Sequence, residues 1–206
     1  MLNIEERNLL ATAYKHEVTV RRSSLQILNN SAKNEANGKS FEVISGLRKN
    51  AAKEIQMLCI EVIGLLDNFL LPSAVDLENS VFYLRIKGDH WRYVAEISNN
   101  YYKKNAVEQA IDAYKCASEI AVLELPSCHP TRLGLALNFS VFLYEILNSP
   151  HRACRMCSAA YHEAIQEINN LTDWLYKDAT LILQLMNDNL MLWLADVIVK
   201  EPKENT

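Results

Sequence analysis

Glycine and proline are scarce in this chain, and their positions restrict its fold more than any other feature. The 206 residues contain only five of each, whereas an all-β chain needs turn-forming residues about every 8–12 positions. Half of the residues are apolar, which is enough to bury a sizeable core and argues against disorder. The chain is therefore predicted to be all-α.

The breaks between the helical stretches predict about seven long helices. The first two are expected at about 4–29 and 40–70, separated by a polar loop over 29–39 that contains Gly38. The third opens at Ser73 with Asp76 and ends near residue 99, and the fourth spans about 104–123. Pro130 and Pro150 suit the first turns of the fifth and sixth helices. The seventh begins after residue 172 and runs to about 199.

Short connections between these helices predict antiparallel neighbours. A helix of about 27 residues spans roughly 40 Å, which is too long for a compact globin-like ball. We therefore expect a single domain over 1–206, built as a curved array with a concave groove, with flexible ends at 1–3 and 198–206. No clean internal repeat is present, which disfavours a regular tetratricopeptide array.

Charge and cysteine content exclude several classes of protein. The net charge is −4 without a long basic run, so we expect no nucleic-acid partner. The N-terminus does not resemble a signal peptide. Polar residues interrupt the most apolar segment, 181–199, so we expect no membrane span. Five cysteines without an export signal predict free thiols in a reducing compartment. We expect a cytoplasmic protein that can also enter the nucleus.

Apparent catalytic motifs are incomplete. Cys154 and Cys157 form a C-x-x-C pair within a predicted helix, without a second pair, so packing is favoured over metal binding. Cys128 has a neighbouring His129 but no identifiable orienting acid. The sequence GKS at 38–40 resembles the end of a P-loop, but the upstream glycine and the preceding strand that this motif requires are both missing. The chain is predicted to be no enzyme and to need no cofactor or metal.

Two pairs of cations repeat a seven-residue spacing. Lys15 and Arg22 share one face of the first helix, and Arg85 and Arg92 share one face of the third, with Tyr93 adjacent. A solvated face is the ordinary interpretation of such pairs. If the two faces meet, however, clustered cations in an acidic protein indicate an anion site, since phosphate accepts paired bonds from arginine.

Polar residues also interrupt two otherwise apolar helical faces. Asn138 precedes Val141 and Glu145 at helical spacing, and Asn189 shares a face with three apolar residues of the seventh helix. By default these faces belong to the hydrophobic core, and the asparagines have hydrogen-bond partners within the protein. Alternatively, the two asparagines can bind the backbone of an extended peptide, because a buried asparagine without a partner costs free energy. Periodicity alone does not decide between these interpretations.

Several segments resemble the 14-3-3 family. RNLLATAYK at 7–15 is similar to its first signature, and YKDATLILQLMNDNLMLW at 176–193 is similar to its second. Between them lie RLGLALNFSVF at 132–142 and the shorter matches FYL at 82–84, KGD at 87–89 and RY at 92–93. The matches occur in the family's order and cover about residues 4–196.

The resemblance implies an adaptor that binds phosphoserine or phosphothreonine segments of partner proteins and regulates them. It assigns a phosphate clamp to Lys15, Arg22, Arg92 and Tyr93. It assigns contacts with the bound peptide to Asn138, Asn189, Glu145, Leu137, Val141, Leu181, Leu185 and Trp193. The alternative is a helical scaffold that has lost phosphate dependence and binds partners through an apolar groove.

Departures from the family concern assembly. The sequence as given begins just before the family's third helix, and the first two helices form most of the family's dimer contact. Leu47 stands where a dimer-facing tyrosine is expected, Leu25 replaces a tryptophan, and Asn187 replaces an arginine of the second signature. We therefore expect a monomer or a weak, rearranged dimer rather than the family homodimer.

Overall fold

The computed structural model describes residues 2–34 and 39–200, and these fold into seven α-helices without a strand. The helices are α1 (Ile4–Asn34), α2 (Lys39–Leu65), α3 (Leu77–Ile97), α4 (Asn100–Glu124), α5 (Pro130–Glu145), α6 (Pro150–Glu167) and α7 (Asp173–Lys200). A π-helical turn, Leu66–Leu70, continues α2, and a 3-10 turn, Ile168–Asn170, follows α6. The prediction of an all-α chain with about seven helices is confirmed.

Local signals place most helix starts correctly. Asn3 and Glu6 form a reciprocal cap on α1, in which each side chain accepts a hydrogen bond of 2.9 Å from the other residue's backbone N–H. Pro130 and Pro150 lie in the first turns of α5 and α6, as predicted. The third helix differs, because it begins at Leu77 and the carboxylate of Asp76, rather than Ser73, accepts the capping bond.

The end of α1 and the start of α4 also differ from the sequence prediction. α1 continues to Asn34, because Arg48 on α2 donates a 2.7 Å hydrogen bond to the Asn29 side chain and so holds this polar stretch against its neighbour. Gly38, which the predicted loop contains, lies outside the described residues. α4 begins at Asn100 rather than 104, and Asn100 has a left-handed φ of 50°, which separates α4 from the end of α3.

The chain divides into two compact units. The first unit is Met1–Ser73 with His90–Glu108, and the second is Ala74–Asp89 with Gln109–Thr206. In the first unit α1 packs on α2, with Val18, Ile55 and Cys59 fully buried. In the second unit α5, α6 and α7 pack together around a core that includes Leu133 and Phe142.

Helix α7 is the one helix of the described chain that is long and apolar enough to cross a membrane by length and composition. Its Ala179, Leu183 and Met186 are buried, and the helix packs on α5 and α6. The same helix carries Asp188 and Asp196. α7 thus packs one side within the second unit, while apolar residues such as Leu181, Leu192 and Val199 are exposed. Residues 198–200, predicted as part of a flexible end, belong to α7, and residues 201–206 lie outside the described residues.

Four of the five cysteines are buried and all five are free thiols. Cys154 and Cys157 face the interior from α6, and no group of three potential metal ligands occurs among residues 2–34 and 39–200. Burial raises the pKa of Cys59 and Cys157 to about 12. Desolvation also raises the pKa of Cys128 and Cys154. These thiols are therefore protonated and shielded at neutral pH, as expected for cysteines that serve packing.

We expect only Cys116, the exposed cysteine, to react rapidly with Ellman's reagent in the folded protein. The thiolate is the reactive form, and raised pKa values keep the buried thiols protonated at pH 8. The measurement is the number of thiols titrated before and after unfolding in guanidinium, which should rise from one to five. Rapid reaction of two or more thiols in the native state would contradict this prediction.

Candidate functional site

Helices α1 and α3 bring two arginines to the same aromatic ring within the first unit. The Cζ atom of Arg22 lies 4.6 Å from the centroid of the Tyr93 ring, and the Cζ atom of Arg92 lies 4.5 Å from it. Arg92 and Tyr93 are buried, and Arg22 is half-buried. Arg22 of α1 and Arg92 of α3 therefore meet at one ring, which holds each guanidinium group beside it through a cation–π contact.

Glu96 is a member of this cluster that sequence reasoning missed. Arg22 forms an ion pair with it, with 2.7 Å from both Nε and Nη2 of Arg22 to Oε2 of Glu96. Clustered cations in an acidic protein indicate an anion site, but Glu96 of the same chain already neutralises one of these cations. Its position on α3, one helical turn after Arg92 and Tyr93, was the available signal.

Lys15 lies on α1, two turns before Arg22, and its side chain is exposed. Seven residues place the two side chains on the same helix face. All four predicted clamp residues thus belong to the first unit. Arg85, which shares the spacing of Arg92 on α3, belongs to the second unit, where its Cζ lies 5.1 Å from the centroid of the Phe82 ring.

In the second unit, a chain of hydrogen bonds orients Asn138. Its Nδ2 donates to Oδ2 of Asp89 at 2.7 Å, and the Tyr114 hydroxyl donates to Oδ1 of the same carboxylate, also at 2.7 Å. The Tyr114 ring stacks on Phe139, with 5.0 Å between ring centroids. One carboxylate therefore fixes the amide nitrogen of Asn138, which sets the direction of its amide oxygen.

Gly88 explains how Tyr114 reaches Asp89. A Cβ atom at this position would lie 2.7 Å from Cε1 of Tyr114 and under 3 Å from two more ring atoms. Glycine in the middle of a helix costs about 1 kcal/mol relative to alanine, so its presence in α3 was a sequence signal of a close approach. Sequence reasoning noted this segment only as part of the family resemblance.

We expect Gly88→Ala and Gly46→Ala to change stability in opposite directions. At Gly88 the new methyl group meets a buried, stacked ring, and overpacking costs about 1–3 kcal/mol. That cost should outweigh the gain in helix propensity. At Gly46, within α2, no atom lies within 4 Å of the new Cβ, so the gain of up to about 1 kcal/mol should remain. Guanidinium unfolding curves of both variants measure the two changes in stability. Equal shifts of the unfolding midpoints would contradict the prediction.

The remaining predicted peptide-binding residues differ widely in exposure. Leu181 and Leu185 on α7 are 65% and 47% exposed, and Glu145 is also exposed. Val141 and Asn189 are half-buried. Leu137 and Trp193 are buried. The structure therefore presents part of this set to solvent and packs part of it into the second unit.

Trp193 has a structural partner on α5. Its ring stacks on Tyr144, with 5.0 Å between centroids and an interplanar angle of 16°. The Tyr144 hydroxyl donates a 2.7 Å hydrogen bond to Asp196, and this bond, followed by burial, raises the pKa of Tyr144. These contacts join α5 to α7. Trp193 can therefore support a peptide-facing surface from beneath rather than form its exposed wall.

Comparison with known proteins gives consistent matches over most of the chain. A family model described as 14-3-3 protein matches residues 1–194. The 14-3-3 protein epsilon of Drosophila melanogaster is 46% identical over 207 residues, which cover 99% of this chain and 79% of that protein. The 14-3-3-like protein B of Hordeum vulgare is 48% identical over 199 residues, 95% of this chain and 76% of that protein. The checkpoint signal transducer rad24 of Schizosaccharomyces pombe is 46% identical over 198 residues, 95% of this chain and 73% of that protein.

Proposed function

Because this chain belongs to the 14-3-3 family, we propose that it binds segments of partner proteins that carry phosphoserine or phosphothreonine. Proteins of this family are adaptors rather than enzymes, so the adaptor role and the prediction of a non-enzymatic protein follow from membership. The dependence on phosphate is our proposal, and so is a cytoplasmic location with access to the nucleus.

The meeting of Arg22 and Arg92 at the Tyr93 ring is the observation that carries the proposal. A phosphate group carries close to two negative charges and accepts several hydrogen bonds at once. Two guanidinium groups held near one ring offer paired donors in a fixed arrangement. Lys15, exposed on the same face of α1 as Arg22, adds a third cation that can turn toward the ligand.

The asparagines supply the second part of the proposal. An extended peptide exposes backbone N–H and C=O groups that need partners. Asn138, oriented by Asp89, presents its amide oxygen as an acceptor for such an N–H. Asn189 and the exposed Leu181 and Leu185 lie on α7, where they offer amide and apolar contacts to a peptide.

The test is a titration of one fluorescent peptide in phosphoserine and unphosphorylated serine forms, at low and at high salt. We expect the phosphorylated form to bind at least tenfold more tightly, and the difference to shrink as salt rises, because ions screen charged contacts. A phosphothreonine version should behave like phosphoserine. Equal affinity for the two forms at low salt would contradict phosphate-dependent binding.

The alternative function is a scaffold that binds partners without phosphate. The exposure of Leu181 and Leu185 favours it, because apolar side chains on a surface helix can dock a partner by themselves. Binding of this kind persists in high salt. The same titration separates the two functions, since a scaffold binds both peptide forms equally under all conditions.

Assembly stays a prediction. Ile27 on α1 and Val43 and Leu47 on α2 are exposed in the single chain, whereas Leu25, Leu28 and Ile44 are half-buried. We propose a monomer or a weak, rearranged dimer in which these exposed residues supply the contact.

A further inference from the structure

The second unit contains a concave region that none of the predicted clamp or peptide-binding residues lines. Helices α4, α5 and α6 of the second unit line an apolar cleft of about 380 Å³. Leu133, Leu135, Phe139 and Met156 form part of its wall. The cleft opens to solvent, and the chain's own side chains do not fill it.

Small side chains keep the cleft open. Ala121 on α4, Ala136 on α5, and Ala159 and Ala160 on α6 all line it. Ser118 lines it as well, and its hydroxyl donates a 2.7 Å hydrogen bond to the backbone carbonyl of Tyr114 on the same helix. That bond holds the short side chain against α4. No long side chain from these positions can therefore reach across the space.

The volume indicates the size of a ligand. Small-molecule sites enclose about 300–1,000 Å³ and are mostly apolar, with a few polar groups that fix orientation. An apolar cavity of about 150 Å³ holds one benzene molecule. The cleft of about 380 Å³ therefore has room for a fused two-ring molecule of the size of indole.

The polar edge of the cleft indicates the charge of a ligand. Arg132 forms an ion pair of 3.2 Å with Glu163 and donates a 2.9 Å hydrogen bond to the carbonyl of Leu125. Both charged residues line the cleft. A carboxylate ligand would meet the charge of Glu163, and an ammonium ligand would meet that of Arg132. The edge thus favours an uncharged ligand that leaves this pair intact.

We propose that this cleft binds a small, uncharged aromatic molecule of about the size of indole. None of the predicted clamp or peptide-binding residues lines the cleft, although its Phe139 stacks on Tyr114, which shares Asp89 with Asn138. Leu133, Leu135 and Phe139 supply apolar contact, and Met156 adjusts its flexible side chain to the ring.

The experiment is a titration of the folded protein with indole, followed by methyl NMR. We expect saturable shifts in the methyl groups of Val122, Leu133, Leu135 and Met156, which line the cleft. Ala159→Leu fills the cleft from an exposed position and should weaken binding at least tenfold. Ala195→Leu makes the same change at an exposed position on α7 outside the lining and should leave affinity unchanged.

Two further ligands test the chemistry of the site. Indole-3-acetate should bind at least fivefold more weakly than indole because of its carboxylate. N-acetyl-tryptophanamide represents a tryptophan side chain within a protein chain. It should not bind more tightly than indole, because the proposed ligand is a small molecule and not a protein segment. The proposal is overturned if indole gives no saturable shifts, if Ala159→Leu binds it as well as the wild type, or if either of these ligands binds tenfold more tightly.

Discussion

Replacing Arg92 with alanine should weaken the binding of a phosphoserine peptide by at least about tenfold. Arg92 is buried beside Tyr93, and a hydrogen bond to a charged group contributes about 1.5–3 kcal/mol. The peptide affinity of Arg92→Lys should lie between those of the wild type and Arg92→Ala. An ammonium group keeps the charge but cannot form the paired bonds of a guanidinium. Fluorescence anisotropy with a labelled peptide measures the three affinities.

A control separates this effect from general loss of positive charge. Arg152 is exposed on α6 and is not one of the predicted clamp residues, so Arg152→Ala removes the same charge and should change affinity less than twofold. Circular dichroism must show that Arg92→Ala remains folded, since the residue is buried. If Arg92→Ala and Arg152→Ala bind the peptide equally well in folded proteins, the assignment of Arg92 to a phosphate clamp is wrong.

Replacing Asp89 with alanine should lower the free energy of unfolding by about 3 kcal/mol or more. The carboxylate accepts bonds from Tyr114 and Asn138, and each such bond to a charged group contributes about 1.5–3 kcal/mol. Its loss also leaves the buried Tyr114 hydroxyl without that acceptor. The free energy of unfolding of Asp89→Asn should lie between those of the wild type and Asp89→Ala, because asparagine keeps one acceptor oxygen. Guanidinium unfolding measures all three.

The matched control is Asp188→Ala on α7. Asp188 is exposed and accepts one bond from Gln184, so its loss should change stability by no more than about 0.5 kcal/mol. Phosphopeptide affinity provides a second measurement for Asp89→Asn, since a reoriented Asn138 should bind the peptide less well. Similar stability losses at Asp89 and Asp188 would contradict the role given to the buried carboxylate.

The helices could be predicted from sequence because their signals are local. A reciprocal cap at Asn3 and Glu6 and prolines in two first turns act within a few residues. The predicted loop from Asn29 was wrong over 29–34 because Arg48, on another helix, stabilises that segment. Helix propensity describes a stretch in isolation, and tertiary contacts can extend it.

The site could be predicted only in part, for the same physical reason. Helical spacing identified faces that carry Arg22 and Arg92, but not the ring at which they meet. Periodicity likewise put Trp193 on a face with Leu181 and Leu185, although it packs against Tyr144. A repeat of 3.6 residues states which side chains are neighbours on one helix. It does not state which of them another helix covers.

The ion pair between Arg22 and Glu96 has a consequence for how ligands compete. Glu96 is an internal counter-ion of Arg22, so in the proposed clamp an incoming phosphate would have to displace Glu96 from Arg22 or share the guanidinium with it. Binding is then an exchange of anions rather than a simple addition. A weakly held polyanion gains little from such an exchange, while a phosphate that also reaches Arg92 gains a second cation. The built-in carboxylate thus favours ligands that engage both arginines over those that are merely negative.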